Sequence, residues 1–156
     1  LAKGLGGGFP VGAVMAKAKV GDAMIPGTHG STFGGNPLAM RSANAVLDLL
    51  LENDFLLSLR ENIIYFENKM DTLVNDDDKV SPVILCKKGS GMLRGFQLTE
   101  NIAAGDFGNI SREKGLLLVG AAENTIRLLP PLNTSKEEID QAFEILSEVV
   151  KEIKKN

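Results

Sequence analysis

Three short stretches carry side chains able to do covalent or ionic chemistry. The first is Leu1-Ala2-Lys3-Gly4-Leu5-Gly6-Gly7-Gly8-Phe9-Pro10-Val11-Gly12-Ala13, a lysine at the head of a glycine run. Glycine leaves backbone as the surface and permits close approach of a ligand or a second chain. An amine there is either a solvated cation beside a turn or a nucleophile crowded away from water, fit to form a Schiff base with a carbonyl. The second stretch is Thr28-His29-Gly30-Ser31-Thr32-Phe33-Gly34-Gly35-Asn36-Pro37. The hydroxyls of Ser31 and Thr32, with free N–H groups ahead of a helix, suit a phosphate. The same residues also describe a tight turn with a helix cap. The third is Arg127, set between Ile126 and Leu128 in an apolar strand that stops at Pro130-Pro131. A guanidinium in such a run needs a carboxylate or phosphate partner, or an exposed face. Both an outward-facing strand residue and a clamp for a substrate carboxylate satisfy that demand.

Familiar nucleotide loops do not fit. A phosphate-binding Gly-Lys-Ser/Thr loop places its lysine after the glycines, whereas Lys3 precedes them. A dinucleotide fingerprint needs a third glycine where Phe9 stands. The remaining polar candidates read as structural. His29 lacks a metal-ligand partner at useful spacing and reads as a loop hydrogen-bonder. Cys86 reads as a core thiol, Arg94 as an ion-pair residue, and Asp76 to Asp78 as a solvated turn.

These residues need elements to hold them. Val11 to Ala18 is an apolar run that predicts a short buried strand. Gly21 to Asn36 is loop. Asn36-Pro37 opens a helix to about Glu52, with asparagine as N-cap and proline at the first helical position. Its predicted apolar face includes Leu38, Val46, Leu49 and Leu50, padded with Ala39, Ala43 and Ala45. Asp54 can cap a second helix to about Asn75, with Leu56, Leu59, Ile63, Phe66, Met70 and Leu73 on one seam. That seam predicts packing within its own domain over a coiled coil, being shorter than three heptads. Asn75 to Lys79 is the clearest break. Beyond it, Val83 to Cys86 and Met92 to Leu98 predict strands joined by Lys87 to Gly91, and Leu116 to Val119 and Thr125 to Leu129 predict a pair turning at Glu123-Asn124. Ile102 to Lys114 predicts a helix with Gly115 at its end. Thr134 and Ser135 offer capping boxes with Glu137 and Glu138 for a last helix bearing Ile139, Phe143, Leu146, Val149 and Val150. The class is α/β, with helices covering a small sheet in the C-terminal half.

Bulk properties exclude several function classes. The chain has 156 residues, 44% of them hydrophobic and 24% charged, which is a globular composition. A net charge of −3 argues against nucleic acid or an anionic membrane as partner. No apolar run reaches the ~20 residues that span a bilayer. One cysteine cannot form an internal disulfide and suits a reducing compartment. The chain opens with Leu1 inside a loop of functional appearance, so it is expected to be part of a longer protein.

Taken together, the Lys3 loop, the segment His29-Gly-Ser-Thr32-Phe-Gly-Gly-Asn-Pro-Leu-Ala and the segment Ile-Arg127-Leu-Leu-Pro-Pro-Leu resemble the class III aminotransferases, which depend on pyridoxal 5'-phosphate. The resemblance runs over the whole chain in order and is nearest to the acetylornithine branch of the family. It implies the C-terminal part of a fold type I transferase: the tail of the large cofactor-binding domain over 1–53, then a linking helix and a small α/β domain over 54–156. It implies that Lys3 holds the cofactor and shuttles a proton. It implies that Thr32 binds the cofactor phosphate of the neighbouring subunit in a homodimer and that Ser31 contacts substrate. Arg127 would take the α-carboxylate of glutamate or 2-oxoglutarate. The implied reaction is a ping-pong transfer of the δ-amino group of N-acetylornithine to 2-oxoglutarate, a cytoplasmic step of arginine biosynthesis. Ornithine, succinylornithine and 4-aminobutyrate remain alternative donors. The family's ring-stacking aromatic, its carboxylate for the pyridine nitrogen and its main phosphate loop belong upstream of Lys3, so the isolated chain is expected to be inactive. A non-catalytic folding or dimerisation module is the competing reading.

Overall fold

The computed structural model describes residues 1–52, 54–77, 80 and 82–155. Asn53, the expected end of the first segment, and Asp78 and Lys79 of the expected turn lie outside the described residues. The chain divides into two compact units, Leu1–Leu57 and Ser58–Asn156.

In the first unit the lysine loop is tied at both ends. The Leu1 amine donates to the Ala13 carbonyl at 2.7 Å, and Ala13 N–H donates back to the Leu1 carbonyl at 2.9 Å. A 3-10 turn spans Lys3–Gly6. A single turn, α1, follows at Ala18–Gly21, and α2 runs from Pro37 to Leu51. Asn36 caps α2 as expected: its Oδ1 accepts from Ala39 N–H at 2.9 Å, and its Nδ2 donates to the Phe33 carbonyl at 2.7 Å. The inward line of α2 keeps two alanines of the expected face and loses two of its leucines. Ala39 and Ala43 are buried, whereas Leu38 and Leu49 are 65% and 56% exposed. Small residues face the glycine loop because its backbone lies against the helix. Ser42 Oγ donates to the Gly6 carbonyl at 2.7 Å, and a Cβ at Gly7 would stand 3.0 Å from Val46. The run Val11 to Ala18 is not a strand, and Val14 and Met15 are exposed. A strand needs a ladder partner, and the described residues of this unit contain no strand.

The second unit is a four-stranded antiparallel sheet with helices on one face. Its elements are α3 (Phe55–Asp76, which belongs to this unit from Ser58 onward), β1 (Ile84–Ser90), β2 (Leu93–Leu98), α4 (Ala104–Glu113), β3 (Val119–Ala121), β4 (Thr125–Leu128) and α5 (Lys136–Ile153). Strand order is β1-β2-β4-β3. Side chains alternate across a strand. Phe96, Leu98, Ile126 and Leu128 therefore enter the core, where they join Phe66, Met70 and Leu73 of α3, Phe107 of α4 and Ile139, Leu146 and Val149 of α5. Phe66 and Phe143 meet edge to face at 5.6 Å. The α3 seam is therefore a core seam from Leu59 to Leu73, as expected of a helix packed on its own domain.

Four local expectations change. Lys87 to Ser90 belong to β1, paired with Phe96 to Leu93, and the turn shrinks to Gly91-Met92. Lys87 earns a place in the strand because its Nζ reaches Glu67 and Asp71 of α3, both at 2.6 Å. Leu116 to Leu118 is not a strand. Leu116 and Leu118 pack on the core, and β3 starts only at Val119. Ser135 alone caps α5, in a reciprocal capping box with Glu138, while Thr134 Oγ1 donates to the Pro131 carbonyl at 2.8 Å. Cys86 lies inside β1, half-buried, with its Sγ 3.5 Å from Gln97 Oε1.

The largest correction concerns Asp77, expected to be a solvated turn residue. Its side chain is buried, and its Oδ2 accepts from Val83 N–H at 2.7 Å and from Ile84 N–H at 2.8 Å. Lys154 Nζ, just past α5, stands 2.5 Å from its Oδ1. One carboxylate thus joins the end of α3, the start of β1 and the end of α5. Arg94 is the ion-pair residue expected: it pairs with Glu67 and donates to the carbonyls of Gly91 at 3.2 Å and Gly89 at 2.5 Å. Asp140 of α5 receives Tyr65 OH and Lys69 Nζ of α3, both at 2.6 Å. The Lys69 hydrogen bond, then that of Tyr65, hold its carboxyl below the ordinary value of 3.8.

Candidate functional site

In the first unit the structure brings the two glycine-rich stretches together. A cleft of about 220 Å³ is lined by Pro10, Val11 and Gly12 on one side and by Ser31, Phe33 and Gly34 to Asn36 on the other, with Ala39 and Met40 of α2. The cleft therefore sits at the N-terminus of a 15-residue helix, where free N–H groups and the helix dipole favour an anion. Ser31 lines the cleft and Thr32 follows it, both exposed. The wall made by Pro10 to Gly12 was not legible as a wall. Only its closeness in sequence to Lys3 connected it to chemistry.

Lys3 is exposed, not crowded by glycine backbone as one sequence reading required. The glycine run turns its backbone onto α2, and the lysine remains outside that contact. Its backbone is unusual in another way. Lys3 has φ 54°, a left-handed conformation that costs an L side chain of the order of 1 kcal/mol or more. Such strain persists only where surrounding structure imposes it, and it clusters at functional positions. Here the loop closure at Leu1 and Ala13 and the bond from Ser42 to Gly6 impose it.

Arg127 belongs to the second unit. It lies on the sheet face opposite the core and is exposed, between buried Ile126 and Leu128. No carboxylate partner of Arg127 is found among the described residues. The other cation on that face, Lys88, is paired with Glu123 of the β3–β4 turn. That turn is built on Glu123 and Asn124 at φ 56° and 50°, the left-handed pair of a tight hairpin. Asn124 Nδ2 donates to the carbonyls of Thr99 at 3.0 Å and Ile102 at 2.8 Å, and its Oδ1 accepts from Ala104 N–H at 2.9 Å. The strand that carries Arg127 is therefore held at its start. His29 is exposed and makes no hydrogen bond among the described residues. No cluster of metal-ligating side chains occurs among the described residues.

The donor set suits pyridoxal 5'-phosphate. Lys3 supplies a primary amine of the kind its carbonyl takes, and the hydroxyls of Ser31 and Thr32 ahead of a helix N-terminus supply donors of the kind a phosphate takes, with no requirement that both serve one cofactor molecule.

Comparison with known proteins agrees with this chemistry. The family model for aminotransferase class-III matches residues 1–150. The acetylornithine aminotransferase of Streptococcus mutans is 44% identical over 149 residues, covering 96% of this chain and 38% of that protein. The acetylornithine aminotransferase of Bacillus subtilis is 38% identical over 150 residues, covering 96% and 37%. Among solved structures, the ornithine delta-aminotransferase of Plasmodium falciparum superposes with a TM-score of 0.88 at 29% identity, over 99% of this chain and 39% of that one. The acetylornithine aminotransferase of Elizabethkingia anophelis gives 0.83 at 32% identity, over 97% and 38%. The chain thus spans a little over a third of the length of the relatives it matches. Its α/β architecture with a small antiparallel sheet is that of a part of the fold type I transferases. With a family match over nearly its whole length, the chain belongs to the class III aminotransferases.

Proposed function

We propose that this chain is the C-terminal part of a pyridoxal-phosphate-dependent aminotransferase that moves the δ-amino group of N-acetylornithine to 2-oxoglutarate. Residues 1–53 form the tail of its large cofactor domain, and 54–156 its linking helix and small domain. The observation that carries the reading is Lys3, held at φ 54° at the head of a glycine loop whose far end lines a cleft with Ser31 at a helix N-terminus. The names of relatives that are about 40% identical favour N-acetylornithine over other donors.

Each residue then has a task. Lys3 Nζ would hold the cofactor through its amine and would take the proton from the substrate carbon that carries the amino group. Thr32 holds the phosphate of the neighbouring subunit's cofactor in a homodimer. Ser31 contacts substrate beside it. Arg127 takes the α-carboxylate of 2-oxoglutarate and glutamate through two parallel hydrogen bonds, a geometry a lysine does not offer. The cofactor, when bound, supplies an electron sink that makes the substrate C–H acidic. The setting is cytoplasmic, and the step belongs to arginine biosynthesis.

The test is a donor panel on the full-length protein with 2-oxoglutarate: N-acetylornithine, ornithine, N-succinylornithine and 4-aminobutyrate. N-Acetylornithine is expected to give the highest kcat/KM, and the isolated 156-residue chain is expected to give no turnover. Absence of turnover with N-acetylornithine in the full-length protein would overturn the assignment of donor.

A further inference from the structure

The structure points to Gly95 as the residue that aims Arg127, an inference that rests on the role proposed for Arg127. Gly95 of β2 is the direct antiparallel partner of Arg127 of β4. Directly opposed residues in such a pair project to the same sheet face. Val119, Arg127, Gly95 and Lys88 therefore form one row across the four strands, on the face away from the core. The residue opposite the arginine has no side chain.

The absence of a side chain is enforced by contact. A Cβ at position 95 would stand 2.7 Å from Thr125 Cγ2, 2.9 Å from the Ile126 carbonyl oxygen and 3.7 Å from the Ile126 carbonyl carbon. Real Cβ atoms do not approach backbone so closely. The two Ile126 atoms belong to the peptide group that joins Ile126 to Arg127. Ile126 itself is fully buried and locked in the core, so it does not yield. Relief must come from rotation of that peptide plane or from opening of β2 against β4. Either movement turns the Cα–Cβ direction of Arg127. Isolated glycine within a strand often marks such a close approach, and the sequence pattern Leu93-Arg94-Gly95-Phe96 carries that signal. Gly95 is thus a positioning residue, acting on substrate only through Arg127.

The two roles separate in the half-reactions. In the full-length enzyme, Gly95→Ala is expected to raise the KM for 2-oxoglutarate about 10- to 100-fold, the penalty of misplacing one binding group by an ångström or less. The amino-donor half-reaction, followed as cofactor absorbance in a single turnover, is expected to keep its rate within about twofold. Arg127→Ala serves as the reference and is expected to raise the same KM by more. If Gly95→Ala does not accumulate as folded protein, Gly95→Ala with Thr125→Ser is measured, since that pair removes the methyl at 2.7 Å. An unchanged KM in the folded glycine variant, beside a raised KM in Arg127→Ala, overturns the inference. So does an equal loss in both half-reactions together with a lowered Tm, which is the signature of a purely structural glycine. An unchanged KM in Arg127→Ala overturns the underlying role of Arg127 instead.

Discussion

Lys3→Ala in the full-length protein is expected to lower turnover by about 10⁴-fold or more, because it removes both a covalent nucleophile and a proton shuttle. Loss of a general acid–base group alone accounts for about 10²–10⁴. The same variant should lose the visible absorbance that pyridoxal phosphate gives when joined to an amine of the protein, while its Tm without cofactor moves little. The second expectation follows from exposure: Lys3 is open to solvent and makes no packing contact that the fold requires. Adding methylamine offers a check on the role. Partial recovery of turnover marks the amine as the missing group, whereas lack of recovery with an unfolded variant marks a structural loss.

The second large effect is on stability and concerns the second unit. Asp77→Ala is expected to destabilise the second unit by about 3 kcal/mol, the cost of leaving buried donors without their charged acceptor. Val83 and Ile84, whose N–H groups it accepts, are 1% and 3% exposed, so water does not replace the carboxylate. Lys154 loses its partner in the same change. The neighbouring Asp76 is exposed, and Asp76→Ala is expected to stay within about 0.5 kcal/mol of the parent. Denaturant unfolding of the two variants measures the difference. Equal midpoints would show that the aspartates are equivalent surface residues.

Asp77 also marks where sequence reasoning stops. Asp76-Asp77-Asp78 reads as one solvated run because nothing local distinguishes its members. What separates Asp77 is β1, which begins seven residues later, and Lys154, which is far along the chain. Local signals did well where a local rule decides the outcome. Asn36-Pro37 started a helix, Gly115 ended one at φ 93°, and Ser135 with Glu138 closed a capping box. They failed where pairing decides. Val11 to Ala18 is apolar enough for a strand but has no ladder partner among the described residues. Lys87 to Ser90 looked like a turn yet pairs along its length with β2.

The site divides in the same manner. Lys3, Ser31, Thr32 and Arg127 are candidates from the sequence because their residue types are unusual in their settings, and the roles proposed for them come from the family resemblance. The exposure of Lys3, its left-handed backbone and the wall of the cleft depend on how the glycine run lies on α2. That packing is fixed by Ser42, Val46 and two alanines, residues with no chemical signature of their own.

The role proposed for Lys3 is that of the cofactor lysine. Borohydride reduction of the full-length protein loaded with pyridoxal 5'-phosphate, followed by peptide mass mapping, tests it most directly. One pyridoxyl label is expected, on the peptide that contains Lys3. A label on another lysine with Lys3 unmodified, or no label at saturating cofactor, would contradict it.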